Sequence, residues 1–365
     1  MKPLNILLTC VLTAAPSTIA HADFTYQETT QVTGGSIVSL MKFAGTFSKQ
    51  ARQAGDPVVS TVVVKGNRMM HVNKERTEIV DLDAETITSI DHVKKQYTTM
   101  TFEQMRQQME AAMAKAKAEQ AKQKQQPPPT SNDAAQNVDV KFNVKVRNTG
   151  ASKDVAGLNA KESIMTMTMD ATDKTSGQTG SLAITNDMYL APDIPGYDEV
   201  REFYKRYAKK MGTVMSGAIN TQMMAMLQQP AAGKGMADMV EEMSKLKGIP
   251  VLQIMRMGTT ADGTPLPAAS EAPLPAGPPP PSAGDVAKET ASSAIMNSIP
   301  FGGFGHKKKQ DPAPPAADSG TSAQPTAAVL VETNTQMTSF SQASVDAAQF
   351  NPPAGYKQVQ LKQVD

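Results

Sequence analysis

The chain has 365 residues, of which 36 are basic, 35 are acidic and 24 are methionine, and it has no tryptophan. The near-neutral balance argues against general nucleic-acid binding, which needs a basic surface, and the few aromatic residues argue against base stacking. The length would allow two domains, but Pro-rich stretches indicate one domain with insertions.

The first 22 residues have the organisation of a secretory signal peptide. Lys2 supplies a positive charge, an apolar run covers Leu4 to Leu12, and Ala20-His21-Ala22 is a small-residue cleavage site. We therefore expect export to the periplasm or the extracellular space, with cleavage near Ala22. That cleavage would remove Cys10, the only cysteine, and with it all thiol chemistry. The alternative is a lipobox at Cys10.

Five β-branched segments then follow at hairpin spacing, with turn signals such as Gly66-Asn67 between them. Strands at this spacing pair antiparallel with their neighbours, so we expect a meander. The predicted strands are Val58 to Lys65, Arg68 to Asn73, Thr77 to Leu82, Thr86 to Asp91 and Gln96 to Met100.

Two helices are predicted, with strands between them. The first begins at Thr101 and places Phe102 and Met105 on one face. The intervening strands are Val138 to Asn148, Glu162 to Asp170 and Gly180 to Leu190. The second helix begins at Pro195-Gly196, with a predicted inner face of Val200, Phe203, Tyr204, Tyr207, Met211 and Met215.

The last third of the chain predicts a hairpin with a very long loop. Pro250 to Thr259 and Ala327 to Phe340 are its strands, and residues 264–325 are a Pro/Ala/Gly-rich insertion expected to be disordered. A final short element, Tyr356 to Val364, is expected at the edge of the sheet. Residues 23–263 together with 326–365 would then form one domain.

The predicted fold class is α+β, a curved antiparallel sheet that forms an incomplete barrel, with helices over its concave face. Several segments resemble a family of uncharacterised exported bacterial proteins with a lipoprotein-carrier (LolA/LolB-like) fold. They are Gly66-Asn67-Arg68-Met69-Met70, Ile79-Val80-Asp81-Leu82-Asp83, Tyr97-Thr98-Thr99-Met100-Thr101-Phe102, Ala191-Pro192-Asp193-Ile194-Pro195-Gly196-Tyr197, Val251 to Gly258 and Phe350-Asn351-Pro352-Pro353-Ala354-Gly355-Tyr356. The resemblance implies a concave face that holds an apolar group such as an acyl chain.

No catalytic pattern emerges. The histidines beyond the signal peptide, His71, His92 and His306, form no zinc-ligand spacing. Ser39-Leu40-Met41-Lys42 matches the Ser-x-x-Lys of acylating serine enzymes, but the partner motifs of those enzymes are missing. We therefore expect no enzymatic activity, no metal and no cofactor.

The unusual feature is methionine, which alternates as Met165, Met167 and Met169 along one predicted strand. Three interpretations stay open: core filling, a deformable surface for an apolar ligand, and thioether binding of Cu(I). The second gives the functional hypothesis, a non-enzymatic protein that binds a lipid or acyl chain. Its expected liners are Phe102, Met105, Met165, Met167, Met169, Phe203, Tyr207 and Met211.

The alternative hypothesis is a structural envelope module that acts through the 264–325 insertion. Within it, residues 285–309 combine a weakly amphipathic segment with Lys307-Lys308-Lys309. Such a segment could contact a partner protein or a membrane surface; the simpler interpretation is an unbound disordered loop.

Overall fold

The computed structural model describes residues 23–38, 55–123, 138–173, 179–216, 238–260, 263–274 and 327–360. The predicted signal peptide, the Ser-x-x-Lys motif, His306 and residues 285–309 lie outside these ranges.

Twelve strands form one open sheet in the order β12-β6-β5-β4-β3-β2-β1-β11-β10-β9-β8-β7. All neighbours pair antiparallel except β12 and β6, which are parallel. The strands are β1 (Phe24–Gly34), β2 (Val58–Lys65), β3 (Arg68–Val72), β4 (Arg76–Asp81), β5 (Thr86–Asp91), β6 (Gln96–Thr101), β7 (Val138–Val155), β8 (Leu158–Asp173), β9 (Thr179–Ala191), β10 (Ile249–Thr260), β11 (Ala327–Ser341) and β12 (Lys357–Gln358).

The pairings confirm the predicted meander β2 to β6 and the hairpin of β10 with β11 across the long insertion. β12 lies at the sheet edge, as expected for the last element. The sequence prediction missed β1, which lies in the middle of the sheet between β2 and β11. Its apolar alternation stops after Phe24 and Tyr26, so the pattern alone is too short to indicate a strand.

Two long helices, α1 (Phe102–Gln123) and α2 (Asp198–Ser216), confirm the predicted helices. α1 begins with a capping box, in which the Thr101 hydroxyl accepts from the Gln104 backbone N–H at 3.0 Å and the Gln104 side chain accepts from the Thr101 N–H at 2.9 Å. A shorter helix covers residues 238–244. Within the described ranges, no helix combines the length and apolar character needed to cross a membrane.

Both long helices pack on one face of the sheet, which we call the inner face. Phe102 of α1 and Phe203 of α2 are fully buried there against Tyr26 and Val62 of the sheet. Burying a phenylalanine removes a large apolar area from water, so this cluster is the main core. Tyr204, which the sequence assigned to the inner face of α2, is 42% exposed and forms a hydrogen bond with the buried Tyr26.

The opposite, outer face carries two covering segments. The C-terminal segment places Phe350 over Val63 and Met70. Residues 263–274, which we call the strap, pack Leu266 against Ala183. The strap includes the first eleven residues of the stretch predicted to be disordered, so the packed part of the chain extends to Leu274. The prediction used composition, which does not reveal that Leu266 packs against Ala183 and Val329 of the sheet.

Candidate ligand-binding face

The alternating methionines of β8 point to the inner face, the same side on which the helices pack. The register follows across five strands: Val32 on β1 pairs Thr333, Thr333 pairs Met255, Met255 pairs Asn186, and Asn186 pairs Met165. Directly paired residues share a face, and so do residues two apart in a strand. Met165, Met167 and Met169 therefore lie on the inner face.

These methionines have apolar neighbours on three other strands. We call the set the methionine patch; its members are Phe142, Val144 and Val146 on β7, Met165, Met167 and Met169 on β8, Leu182 and Ile184 on β9, and Met255 and Met257 on β10. Met255 is 36% exposed and most of the others are half-buried. The patch thus combines apolar side chains on four neighbouring strands with incomplete burial.

The eight predicted liners divide into two groups. Phe102, Met105, Phe203, Tyr207 and Met211 come together in the main core between the helices and the sheet. Phe102 and Phe203 are 1% and 0% exposed, so they fill the core. The three methionines of β8 are not part of that core. The structure therefore does not bring all eight residues into one site.

Polar residues separate the two groups along the inner face. Along β10, Val251 belongs to the core, Gln253 follows, and Met255 begins the methionine patch. The Asn186 side-chain amide donates to Gln253 Oε1 at 3.1 Å. A similar contact joins the hydroxyls of Thr30 and Thr335 at 3.2 Å. Polar side chains thus separate the methionine patch from the main core beneath the helices.

A polar groove of about 530 Å³ lies elsewhere, along β2 to β6, and none of the eight predicted liners borders it. It includes His71, Asn73, Glu78 and Ser89. Burial raises the pKa of the nearby Tyr207, and the charge of Glu78 raises it further, so this phenol stays neutral. The groove offers hydrogen-bonding groups of mixed charge, with apolar side chains between them.

The outer face behind the methionine patch is held together by buried polar groups. Arg256 donates from Nε to Glu332 at 2.7 Å and from Nη1 to the carbonyls of Pro267, Ala268 and Ala272 at 2.9, 3.1 and 2.9 Å. The Thr185 hydroxyl donates to the Leu266 carbonyl at 2.7 Å. These bonds fix the strap to β9, β10 and β11.

Two carboxyl groups beside the strap have opposite pKa shifts. Burial raises the pKa of Asp187, and the neighbouring Glu162 adds to this, while Ser270 donates its N–H to Asp187 Oδ2 at 3.0 Å. Burial also acts on Glu162, but bonds from Thr149, Ser270 and Tyr189 outweigh it and lower the pKa of Glu162. The opposite shifts mean that Asp187 holds its proton to a higher pH than Glu162 does.

The histidines have structural neighbours. His92 bonds to the hydroxyls of Thr77 at 2.8 Å and Tyr356 at 3.1 Å, which ties β4 to the C-terminal segment. In the described part of the chain, no three His, Cys, Asp or Glu side chains are grouped to hold a metal ion. No protein-family model matches this sequence, and no curated protein matches it.

Sequence reasoning missed the partners of the three methionines on β7, β9 and β10. The signal was available on β7, where Val140, Phe142, Val144 and Val146 alternate with polar residues. Met255 and Met257 show the same two-residue spacing on β10. What the sequence lacked was the register that sets these strands side by side.

Proposed function

We propose that this protein is an exported, non-enzymatic binding protein that holds an apolar ligand, a lipid or acyl chain, against the methionine patch. The observation that carries the proposal is the row of half-buried apolar side chains on four neighbouring strands, β7 to β10. Unbranched thioethers repack around ligands of varied shape at little cost, which suits a surface for flexible chains.

The proposal moves the expected site away from the helices. Phe102, Met105, Phe203, Tyr207 and Met211 would act as the core that supports the sheet, and Met165, Met167 and Met169 would contact the ligand. The lipoprotein-carrier resemblance, with a curved sheet and helices over its concave side, agrees with this arrangement and remains part of the proposal. The open sheet with helices on one face supports it only at the level of architecture.

Native mass spectrometry of the protein purified from its own host tests the proposal. We expect an additional mass that corresponds to a bound lipid or fatty acid, and saturable binding of a fluorescent fatty acid. Met167→Asp should weaken that binding at least about tenfold, because an unpaired carboxylate in an apolar site is costly to desolvate. Ser89→Asp places the same charge on the exposed inner face of β5 and is the matched control.

Two results would refute this function. A ligand-free spectrum together with no binding of the fluorescent fatty acid would show that the protein does not hold an apolar ligand. Equal loss of binding in Met167→Asp and Ser89→Asp would move the site off the methionine patch.

The alternative, a structural module that recruits a partner through the insertion, is supported by the strap. Arg256 and Thr185 hold its backbone on the sheet, so the insertion leaves the domain from a fixed point at Leu274. Deleting residues 276–325 tests this role while it leaves Leu266 in place. If the deletion abolishes partner capture and fatty-acid binding survives, the chain has both functions. If the deletion abolishes partner capture and neither the full chain nor the deletion variant binds fatty acid, the alternative function alone is favoured.

A further inference from the structure

The methionines of the methionine patch are accessible to solvent on one face of the sheet. Met255 is 36% exposed, and the others are half-buried: Met165, Met167, Met169 and Met257. The chain has a single cysteine, Cys10, which lies inside the expected signal peptide. Methionine is therefore the only sulfur-containing residue of the expected mature chain. An accessible thioether is a common target of oxidants.

Other methionines of the sheet are closed to solvent. Met69, Met70, Met188 and Met337 are 4–5% exposed, and Met69 and Met337 belong to the main core. A sulfoxide formed there would place a polar group inside the packed core, which is unfavourable. The patch methionines do not belong to this core, so their oxidation leaves the packing between helices and sheet intact. Oxidation of the patch thus alters a surface without unfolding the domain.

The chemical step is the transfer of one oxygen atom from hydrogen peroxide to a thioether. The sulfur donates an electron pair to one peroxide oxygen, so that an S–O bond forms and the O–O bond breaks. The sulfur is oxidised by two electrons, and the peroxide is reduced to water, which carries away both hydrogens. The flexible apolar side chain becomes a polar, chiral sulfoxide, and reductase enzymes reverse the change.

The folded sheet places a hydrogen-bond donor beside two of these methionines. Asn186 on β9 lies directly between Met165 on β8 and Met255 on β10 in the strand register. Paired residues have Cβ atoms about 4.5–5.5 Å apart. The Asn186 side-chain amide donates one N–H to Gln253 Oε1 at 3.1 Å, and such an amide carries two N–H groups. The second N–H can donate to a sulfoxide oxygen on either neighbouring methionine, which stabilises the oxidised patch in the folded chain.

We propose that the methionine patch is a redox switch, in which peroxide oxidation of its thioethers releases the apolar ligand. The methionines concerned are Met165, Met167, Met169, Met255 and Met257. This inference rests on the proposed function, because it assigns a regulation to the same face. The reduced thioethers offer an apolar surface to an acyl chain. A sulfoxide oxygen would lose its water when an acyl chain covers it, and that desolvation is unfavourable, so oxidation weakens binding while the fold persists.

Treatment of the full mature chain with hydrogen peroxide tests the switch. Peptide mass mapping should show sulfoxides at the patch methionines before it shows them at Met69 and Met337, which are buried. The affinity for a fluorescent fatty acid should fall at least about tenfold, because several polar oxygens then lie in the apolar site. The far-UV circular dichroism spectrum should stay unchanged, since the main core is not oxidised.

Leucine substitutions locate the effect, because leucine keeps the apolar volume of methionine and has no sulfur to oxidise. The test variant combines Met165→Leu, Met167→Leu, Met169→Leu, Met255→Leu and Met257→Leu. It should bind the fatty acid and should keep its affinity after peroxide treatment. Met243→Leu is the control, since it removes a 47% exposed methionine outside the patch. The control should lose affinity on oxidation as the unsubstituted chain does.

Normal binding that survives oxidation of the patch would overturn the switch and leave the proposed function standing. Patch methionines that oxidise no faster than Met69 and Met337 would also overturn it, as would unfolding on oxidation or an equal loss of affinity in the leucine variant. If the leucine variant does not fold, the mapping and the affinity of the unsubstituted chain still decide. No fatty-acid binding before peroxide treatment would refute the proposed function, and the switch with it.

Discussion

Arg256 gives the sharpest test of how the fold is held together, because one buried side chain joins two strands and the strap. Its side chain is 3% exposed, and its partner Glu332 is 10% exposed and also accepts from the Thr33 hydroxyl at 2.6 Å. Arg256→Leu would leave this carboxylate buried without its cation and would leave three strap carbonyls without their donor. Breaking a buried pair in this way costs about 3–5 kcal/mol.

Urea unfolding followed by far-UV circular dichroism measures this loss, and it suits a chain without tryptophan. Arg201→Leu is the control, since Arg201 and Asp198 form an exposed pair with side chains 45% and 82% exposed. Such pairs contribute about 0–1 kcal/mol. The double variant Arg256→Leu, Glu332→Leu should be more stable than Arg256→Leu alone, because it removes the uncompensated charge.

A loss below about 1 kcal/mol in Arg256→Leu, equal to that of the control, would refute the reasoning. The reasoning would also be refuted if the stability loss of the double variant equalled the sum of the losses of Arg256→Leu and Glu332→Leu. Either result would mean that the buried pair does not hold the strap.

Three further predictions concern the pH response and the packing. Asp187→Asn should raise Tm at neutral pH, because the pKa of Asp187 is raised by folding and its buried, ionised form is therefore destabilising there. Below the ordinary pKa of 3.8 the carboxyl group is protonated in both the folded and the unfolded chain, so a series of melting curves should show that the gain disappears. Phe203→Ala should reduce the free energy of unfolding by about 3–5 kcal/mol in urea titrations, because the side chain is fully buried. Gly258→Ala should cost about 1–3 kcal/mol in the same assay, since its Cβ would fall 2.1 Å from the Ala328 carbonyl oxygen; an unchanged midpoint would contradict that contact.

The sequence predicted those parts of the fold that local patterns encode. β2 to β6 were accessible because each strand alternates and each turn carries its own signal, such as Gly66-Asn67. The start of α1 was accessible because Thr101 and Gln104 form a local capping box. The central strand β1 was missed because residues 28–31 are polar, and its position depends on pairing with β11, some 300 residues away.

In the candidate site, too, the sequence predicted what local patterns encode and missed what long-range pairing sets. The alternation of Met165, Met167 and Met169 is local and was visible. Their neighbours on β9 and β10 depend on the register between distant strands, which no local pattern records. The link from Arg256 to the strap was not predicted, because it joins a strand arginine to backbone carbonyls in a Pro-rich segment that composition alone assigns to a loop.

The central claim is that the methionine patch contacts an apolar ligand, and ¹³C-methyl NMR of labelled methionines during titration with a fatty acid tests it most directly. The account predicts shifts at Met165, Met167, Met169 and Met257, with Met69 and Met337 of the buried core unchanged. Shifts confined to Met105 and Met211 beside the helices, or no shifts at saturating ligand, would contradict it.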